Sequence, residues 1–375
     1  MAGNINNRLT QLRARRDGSR GMARDSLMKS ESLASLLYPT PEAWEKRGGA
    51  NQPYTRYAIG AMQPVSDTYT KVSKDTANRV ANQLRDRLPN GGINAEFRLQ
   101  GSVALDVHIK GVSDVDLVVL DTSFFTYMVT GAVAQRGGYT NPTARTSVGV
   151  LNELRTQVES DLVAAFPAAK VDKTGAKAVK ITGGSLARDV DVVPAHWHDS
   201  IAYQSSGSEI DRGVKILNKK MATTIDNYPF LHIERIRSRC NSVGGGLRKS
   251  IRLCKNVKED SDREIPLPSF DIAATMYHAN QAALGVGTIF ELSILAETQR
   301  HLDELARNHD MAKKLYVPDG SRPIFDTDEK LHGLLMLSIE MDELLSNVYS
   351  EHVPGALISN RPMIEKRNTV SYLTA

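Results

Sequence analysis

The feature that most constrains this chain is a pair of acids in an apolar run, followed much later by a third acid. Asp114 and Asp116 flank Val115 at the start of VDLVVL, which is typical of a buried strand. Because successive side chains of a strand point to opposite faces, both carboxylates lie on one face. A second strand-like run, RDVDVVPAHW, carries Asp191 with the same alternation. The pattern predicts three acids that converge from two strands of one sheet.

Three convergent carboxylates predict a site for divalent cations. Carboxylates a few ångströms apart raise one another's pKa unless a counter-charge is present. Oxygen ligands without an accompanying Cys or His favour Mg²⁺, with Mn²⁺ as a substitute, over zinc. Two such ions roughly 3.5 to 4 Å apart can activate an attacking hydroxyl and stabilise a leaving pyrophosphate. We therefore expect phosphoryl transfer, with Asp114, Asp116 and Asp191 as both metal ligands and catalytic residues.

Five ordered segments make the chain resemble a known family. They are QGSVALDVHIKGVSDVDLVV, DVDVVPAHW, GGGLRKSIRLCKNVK, LPSFDIAATMYHA and VPDGSRPIFD, which together span residues 100–326. A Gly-Ser pair, a D-x-D strand and a later Asp are similar to the signature of polymerase-beta-type nucleotidyltransferases. Within that superfamily the chain looks most like the bacterial CD-NTases, relatives of oligoadenylate synthetase and cyclic GMP-AMP synthase. A lone D-x-D arises by chance in many loops, whereas this ordered set is specific.

The resemblance gives roles to individual residues. Strand parity leaves Asp189 and Asp191 as candidates for the third acid, and the family's D-V-[LV]-P-A pattern selects Asp191. Lys255 corresponds to a lysine that contacts the triphosphate of the incoming nucleotide. Ser269 corresponds to a phosphate-contacting serine, and it also stands where a helix N-cap is expected. From the residues alone, a solvated lysine and an ordinary cap stay open as alternatives.

The turn before the first acidic strand is a further candidate for phosphate binding. Gly101 lets the backbone approach a phosphate closely, and the Ser102 hydroxyl can donate to its oxygens. Gln100, which precedes the pair, is a third candidate for the same ligand. An ordinary tight turn is the alternative at this position.

The order of the predicted elements indicates an α+β fold. Amphipathic helices are expected near 70–88 and 150–162, and strands near 95–99, 114–120, 178–182 and 186–193. These suit a mixed sheet backed by helices. The resemblance implies a bilobed protein, in which a polymerase-beta-like nucleotidyltransferase core is joined to a C-terminal helical domain.

Four regions are expected along the chain: a basic N-terminal arm (1–50), the nucleotidyltransferase core (51–240), the helical domain (241–350) and a flexible C-terminal tail (351–375). The arm is arginine-rich and is expected to be a solvated, mobile or helical segment. Contact with a partner protein or a polyanion is the alternative for the arm. The tail is polar and is a second candidate for contact with a regulatory protein.

Composition excludes some classes of function. The chain has 41% hydrophobic and 24% charged residues, as expected of a soluble globular protein, and no apolar run long enough for a bilayer. We therefore expect a cytoplasmic protein without membrane contact. A net charge of +4 without a broad basic face argues against long duplex nucleic acid as a partner. His196, Trp197, His198 and Tyr203 are candidates for stacking on a base, with core or surface positions as the alternative.

The resemblance implies nucleoside triphosphates as substrates and two Mg²⁺ ions as cofactors. The implied product is a cyclic di- or trinucleotide second messenger, formed with release of pyrophosphate in anti-phage defence signalling. Three alternatives remain at this stage: a synthase of linear oligonucleotides, a nucleotidyltransferase acting on a small molecule or tRNA, and a non-catalytic nucleotide sensor.

Overall fold

The structure is a computed structural model that describes residues 5–17, 42–353 and 361–374. Its helices are α1 (Ile5–Asp17), α2 (Pro53–Met62), α3 (Asp67–Arg87), α4 (Gly101–Leu105), α5 (Ala132–Gln135), α6 (Ser147–Ala165), α7 (Ile201–Ser206), α8 (Pro229–Ser242), α9 (Gly246–Asp260), α10 (Ser269–Tyr277), α11 (Gln281–Val286), α12 (Leu292–Arg307), α13 (His309–Lys313), α14 (Asp328–His352) and α15 (Met363–Val370). Its strands are β1 (Ala95–Gln100), β2 (Val115–Tyr127), β3 (Lys170–Asp172), β4 (Val179–Thr182), β5 (Val190–Asp199), β6 (Gly213–Asn218) and β7 (Thr223–Asn227).

A seven-stranded mixed sheet forms one half of the molecule. The strand order is β1-β2-β5-β4-β3, and β6 pairs with the later part of β5 and with β7. Strands β2 and β5 are parallel, whereas the other pairs are antiparallel. Both faces of β2 are covered: Leu117 and Val119 pack with α3 and α6, and Val118 and Leu120 pack in a second cluster with Trp197. This explains the continuous apolar run of β2 and confirms the predicted α+β class.

Helices form the other half around one apolar cluster. It combines α1 and α2 with helices α8 to α15, so segments from both ends of the sequence share a core. None of the described helices combines the length and apolarity that crossing a bilayer requires. The sheet half and the helical half meet at the end of α4 and just after it, where Leu105 and Val107 belong to the helical cluster.

Most of the predicted elements are present, with one displaced strand. Helices α3 and α6 and strands β1 and β4 lie where the periodicity placed them. The strand expected over 186–193 begins instead at Val190 and continues to Asp199, because β6 pairs with its second half. Strands β6 and β7 lie in a region whose pattern predicted no element.

The described part of the N-terminal arm is not a solvated segment. Leu9 and Leu12 of α1 are buried in the helical core, and Arg15 donates to both carboxylate oxygens of Asp260 on α9. Arg8 pairs with Glu340 on α14, with 2.5 Å between the charged atoms. These arginines are therefore neutralised within the chain. Residues 18–41 of the arm lie outside the described residues.

The C-terminal region was expected to be flexible, and this is wrong for most of it. Helix α14 continues to His352, and α15 packs against α12 and α14 with Val370 fully buried. Arg367 of α15 donates to Gln299 and Asp303 of α12. A short helix after Pro362 fixes this end, and the sequence pattern of so few residues did not indicate it. Residues 354–360 and Ala375 lie outside the described residues.

Candidate active site

One cavity of about 380 Å³ lies between the sheet and the helical half. All the residues that the sequence indicated for catalysis, metal binding or phosphate binding line it: Gln100, Gly101, Ser102, Asp114, Asp116, Asp191, Lys255 and Ser269. The first six come from the sheet side, Lys255 comes from α9, and Ser269 comes from α10. Side chains that are distant in sequence therefore face one cavity.

The register of the sheet brings the acids to the cavity. Asp116 of β2 lies directly beside Asp191 of β5 in the parallel pair, and Gln100 of β1 lies on the other side of Asp116. Asp114 immediately precedes β2. Asp191 lines the cavity, whereas Asp189 does not, although the two share strand parity. This geometry agrees with Asp191 as the third acid.

Gly101 is required by its contact with Asp116. Its φ is +70°, a conformation that favours glycine. A Cβ built on Gly101 would lie 2.0 Å from Oδ2 of Asp116, so any side chain at this position would displace that carboxylate. The Gly-Ser turn therefore fixes the position of the central acid in addition to approaching the cavity.

The acids disfavour one another's charge, even though Lys255 and Lys180 lie near enough to oppose this effect. Burial, together with the carboxylates of Asp191 and Asp114, raises the pKa of Asp116 to about 7. Burial and Asp114 also raise the pKa of Asp191. Carboxylates that repel one another in this way, with oxygen donors alone, fit hard divalent cations. The donor set is therefore compatible with the predicted Mg²⁺ ions.

The three carboxylates of Asp114, Asp116 and Asp191 are not arranged as a complete set of metal ligands. Among the described residues, no group of three or more His, Cys, Asp or Glu side chains is arranged to hold a metal ion. Instead, Nζ of Lys180 on β4 forms an ion pair with Asp114. The metal centre stays a prediction, supported by the chemistry of the donors.

Lys180 is a residue that the sequence reasoning missed. It lies opposite Asp191 in the β4–β5 pair, on the same face as the acids. Burial opposes its charge, but hydrogen bonding and attraction to Asp114 raise its pKa above the ordinary value. The alternation of Val179, Lys180 and Ile181 contained the signal, because only the central residue shares the polar face.

Lys255 belongs to a row of cations on α9 that fixes the segment after α4. Arg248 donates to the carbonyl of Leu105, Arg252 to that of Asp106, and Lys255 to that of Val107. These carbonyls follow a short helix and would otherwise lack partners. These three side chains therefore connect α9 to the segment at the end of α4.

The charge of Lys255 is close to the acids but strongly desolvated. Its Nζ lies 2.9 Å from the Val107 carbonyl oxygen and 3.2 Å from Oγ of Ser113. Burial lowers its pKa to about 8, against the attraction of Asp116. An ammonium group has three protons, so one donor remains for an anion in the cavity.

Ser269 lines the cavity but does not cap its helix. Pro268 occupies the N-cap position of α10, with no side-chain hydrogen bond, and Ser269 is the first helical residue. The expected cap is therefore wrong by one position, because the proline has an extended backbone that ends the preceding loop. The hydroxyl of Ser269 is exposed at the cavity.

The four residues expected to stack on a base do not line the cavity. His196 lies five positions beyond Asp191, roughly 16 Å along an extended strand. It is engaged by Ser147 and the edge of the Phe124 ring, and Trp197 lies under Arg212. The aromatic residues that do line the cavity are His232 of α8 and Phe270 of α10, which stack at 4.2 Å.

Comparison with known proteins gives consistent relatives. The chain is 45% identical over 344 residues to the cyclic dinucleotide synthase CdnE of Yersinia aleksiciae, covering 91% of this chain and 88% of that protein. It is 35% identical over 241 residues to a c-di-GMP synthase of Lachnospiraceae bacterium (strain RUG226), covering 59% of this chain and 68% of that protein. The solved structure of a STING-associated CdnE c-di-GMP synthase from Capnocytophaga granulosa superposes with a TM-score of 0.69 at 29% identity, covering 93% of this chain and 99% of that one. No family model matches the chain.

Proposed function

Because the chain belongs to the CdnE cyclic dinucleotide synthases, nucleotidyltransferases of the CD-NTase family, we propose that it joins two nucleoside triphosphates into a cyclic dinucleotide. Each of the two transfers releases pyrophosphate. The product serves as a second messenger in anti-phage defence signalling, in keeping with the CD-NTase family. The reaction takes place in the cytoplasm, where its substrates are made.

The single observation that supports this reaction best is the composition of the cavity. Acids from neighbouring strands face a serine from the Gly-Ser turn and a lysine from the helical half within about 380 Å³. Such a volume is within the range of ligand pockets. Carboxylates alone would repel a triphosphate, so the cations and hydroxyl donors on the opposite wall are needed to bind it.

Divalent cations complete the proposed site. Asp114, Asp116 and Asp191 would hold Mg²⁺, or Mn²⁺ in its place, through carboxylate oxygens. Bound there, the cations would supply neutralising charge for the triphosphate and the leaving pyrophosphate. Lys180 contacts Oδ2 of Asp114, and its charge would help to neutralise the carboxylates beside the cations.

The chain's own groups position the reactants. Ser102 and Ser269 donate hydroxyl hydrogen bonds to phosphate oxygens, with Gln100 beside them, and Lys255 supplies its remaining donor. A ribose hydroxyl of the second nucleotide attacks the α-phosphorus and its proton passes to a carboxylate of the trio. The new O–P bond forms as the bond to the β-phosphate breaks and pyrophosphate leaves. A second transfer of the same kind closes the ring.

The proposal is tested by comparing substitutions of two neighbouring acids, Asp191 of β5 and Asp189, which directly precedes β5. Purified protein is incubated with the four labelled triphosphates and Mg²⁺, and products are treated with phosphatase. Asp191→Asn should lower formation of phosphatase-resistant product by at least about a thousandfold, since several kcal/mol of charge stabilisation are lost. Asp189→Asn, with the same parity but outside the cavity, serves as the matched control and should retain activity.

Two results would contradict the proposal. Equal activity of the Asp191→Asn and wild-type proteins would remove the acids from the reaction. A product that loses terminal phosphates to phosphatase and leaves a linear oligonucleotide with free ends would identify a linear oligonucleotide synthase instead. Regulation by a partner protein through residues 1–50 or 351–375 remains a further part of the proposal, tested by adding candidate partners to the same assay.

A further inference from the structure

His232 is a polar residue of the cavity wall whose chemistry the proposed reaction does not use. It lies on α8, is only 3% exposed, and lines the same cavity as the acids. Among the described residues, neither Nδ1 nor Nε2 has a hydrogen-bond partner. A buried polar group normally has one, and leaving it without a partner costs about 1 to 3 kcal/mol. Its position therefore points to a ligand that supplies the missing hydrogen bond.

A second aromatic ring stacks on the imidazole of His232. Phe270 stacks on His232 with 4.2 Å between ring centroids and 20° between ring planes. The guanidinium of Arg322 lies 5.4 Å from the centroid of Phe270 and donates to Asp271 at 2.5 Å. Asp271 is fully buried and also pairs with Lys330. This network fixes the wall of the cavity around the imidazole.

A rigid turn places a carboxylate beside one nitrogen of the ring. Oδ2 of Asp319 lies 3.8 Å from Nδ1 of His232, and both side chains are buried. The other oxygen of Asp319 accepts from the backbone N–H of Ser321 at 2.9 Å. Gly320, with φ of +80°, closes the turn by donating to the Val317 carbonyl at 2.8 Å. The segment VPDGSRPIFD, so far without a role, therefore delivers a negative charge to His232.

The charge decides which nitrogen of the imidazole accepts a hydrogen bond. Burial lowers the pKa of His232 to about 4, despite the opposing influence of Asp319, so the ring is neutral at pH 7. A neutral imidazole has one N–H and one lone pair. A carboxylate near Nδ1 favours the proton on that atom, which leaves the lone pair on Nε2.

We propose that His232, oriented by Asp319, sets the base preference of the site by accepting a hydrogen bond at Nε2 from an N–H group of the nucleobase. The inference rests on the proposed function, because it assumes that the cavity takes a nucleoside triphosphate. Asp319 acts through His232 and is a positioning residue. His232 would therefore distinguish bases by whether their edge carries an N–H donor, in addition to any stacking on the base.

The test measures binding and needs no turnover. Titration calorimetry with the α,β-methylene analogues of ATP, GTP, CTP and UTP, in the presence of Mg²⁺, ranks the four bases for the wild-type protein. His232→Phe keeps a ring against Phe270 and removes the acceptor. It should weaken the preferred analogue about tenfold, the value of one lost hydrogen bond, and the others less than about twofold. His309→Phe, an exposed histidine of α13, is the matched control.

A change in the nucleotide analogue complements the change in the protein and completes a double-mutant-type cycle. The preferred analogue is compared with a counterpart whose base lacks one N–H donor. Wild-type protein should lose about tenfold in affinity for at least one such counterpart, and His232→Phe should not distinguish the two ligands. Equal weakening of all four analogues in His232→Phe, or none, would overturn the inference. Failure of wild-type protein to bind any analogue would instead overturn the proposed function on which it rests.

The role of Asp319 has its own readout. In ¹⁵N-histidine-labelled protein, the His232 nitrogens, assigned by their loss in His232→Phe, should show the proton on Nδ1. Asp319→Asn should shift this tautomer balance and reduce the base preference, with the thermal midpoint reported alongside. Unchanged ¹⁵N shifts in Asp319→Asn would refute the positioning role.

Discussion

Replacing Gly101 by alanine tests the position of Asp116 more sharply than removing the acid does. The added methyl group has two consequences that can be separated. It must adopt φ of +70°, and its carbon would lie 2.0 Å from Oδ2 and 2.8 Å from Cγ of Asp116. Contacts under 3.0 Å are essentially never formed by real Cβ atoms. The carboxylate must therefore move.

The size of each effect follows from the geometry. A residue with a Cβ in the left-handed conformation costs roughly 1 to 2 kcal/mol. Moving Oδ2 from 2.0 Å to beyond 3.0 Å is a shift of about 1 Å, and a misplacement of that size at a reacting centre can cost about a hundredfold in rate. Gly101→Ala should therefore lower kcat about a hundredfold, while the protein remains folded.

Gly92→Ala is the matched control for backbone strain. Gly92 has φ of +74°, and a Cβ there meets nothing within 4 Å. Both variants should lose similar free energy of unfolding in urea, but only Gly101→Ala should lose pyrophosphate release. If Gly101→Ala keeps more than half of the wild-type rate, the reaction does not depend on the placement of Asp116.

Three further predictions concern other parts of the molecule. Lys255→Met should raise the KM for nucleoside triphosphates about tenfold through loss of a charged hydrogen bond. Lys258→Met, one turn away on the same helix and outside the cavity, should leave the KM unchanged. Equal KM values for the two variants would contradict the phosphate role of Lys255. Arg15→Met leaves Asp260 buried without its guanidinium and should lower the free energy of unfolding by about 3 to 5 kcal/mol in urea titrations, so a loss below about 1 kcal/mol would show that α1 contributes little. Burial alone would raise the pKa of Glu340, but hydrogen bonds from arginine and serine side chains hold it below its ordinary value of 4.5. The contribution of the Glu340 carboxylate to stability is therefore complete above pH 4.5 and is lost as the pH falls through its lower pKa in the folded state. Glu340→Gln should flatten the loss of folding stability over that acid range. An unchanged dependence of stability on pH would refute this.

The alternation of polar and apolar residues predicted the acids that lie on, or next to, strands of the sheet. Asp114 and Asp116 were identified because alternation in a strand determines which side chains share a face. The apolar alternation around Asp191 likewise indicated a strand. In the structure this strand pairs in parallel with β2, and the pairing places Asp191 beside Asp116. The mixed sheet followed from the same kind of periodicity.

What the sequence did not indicate depends on contacts between distant segments. Arg15 meets Asp260 across 245 positions, so the local excess of basic residues looked like a solvated arm. His232 and Asp319 belong to elements whose patterns gave no sign that they would meet. His196 followed an acid closely in sequence, but an extended strand carries it away from the cavity. Proximity in sequence was therefore misleading where the backbone is extended.

The most direct measurement of the central claim is the stoichiometry of the reaction. Wild-type protein with Mg²⁺ and mixed triphosphates should release two pyrophosphates for each product molecule, and mass spectrometry should find a cyclic dinucleotide without a terminal phosphate. Asp116→Asn should yield neither. One pyrophosphate per product with a retained 5′-triphosphate, or an unchanged yield from Asp116→Asn, would contradict a cyclising nucleotidyltransferase whose acids meet at this cavity.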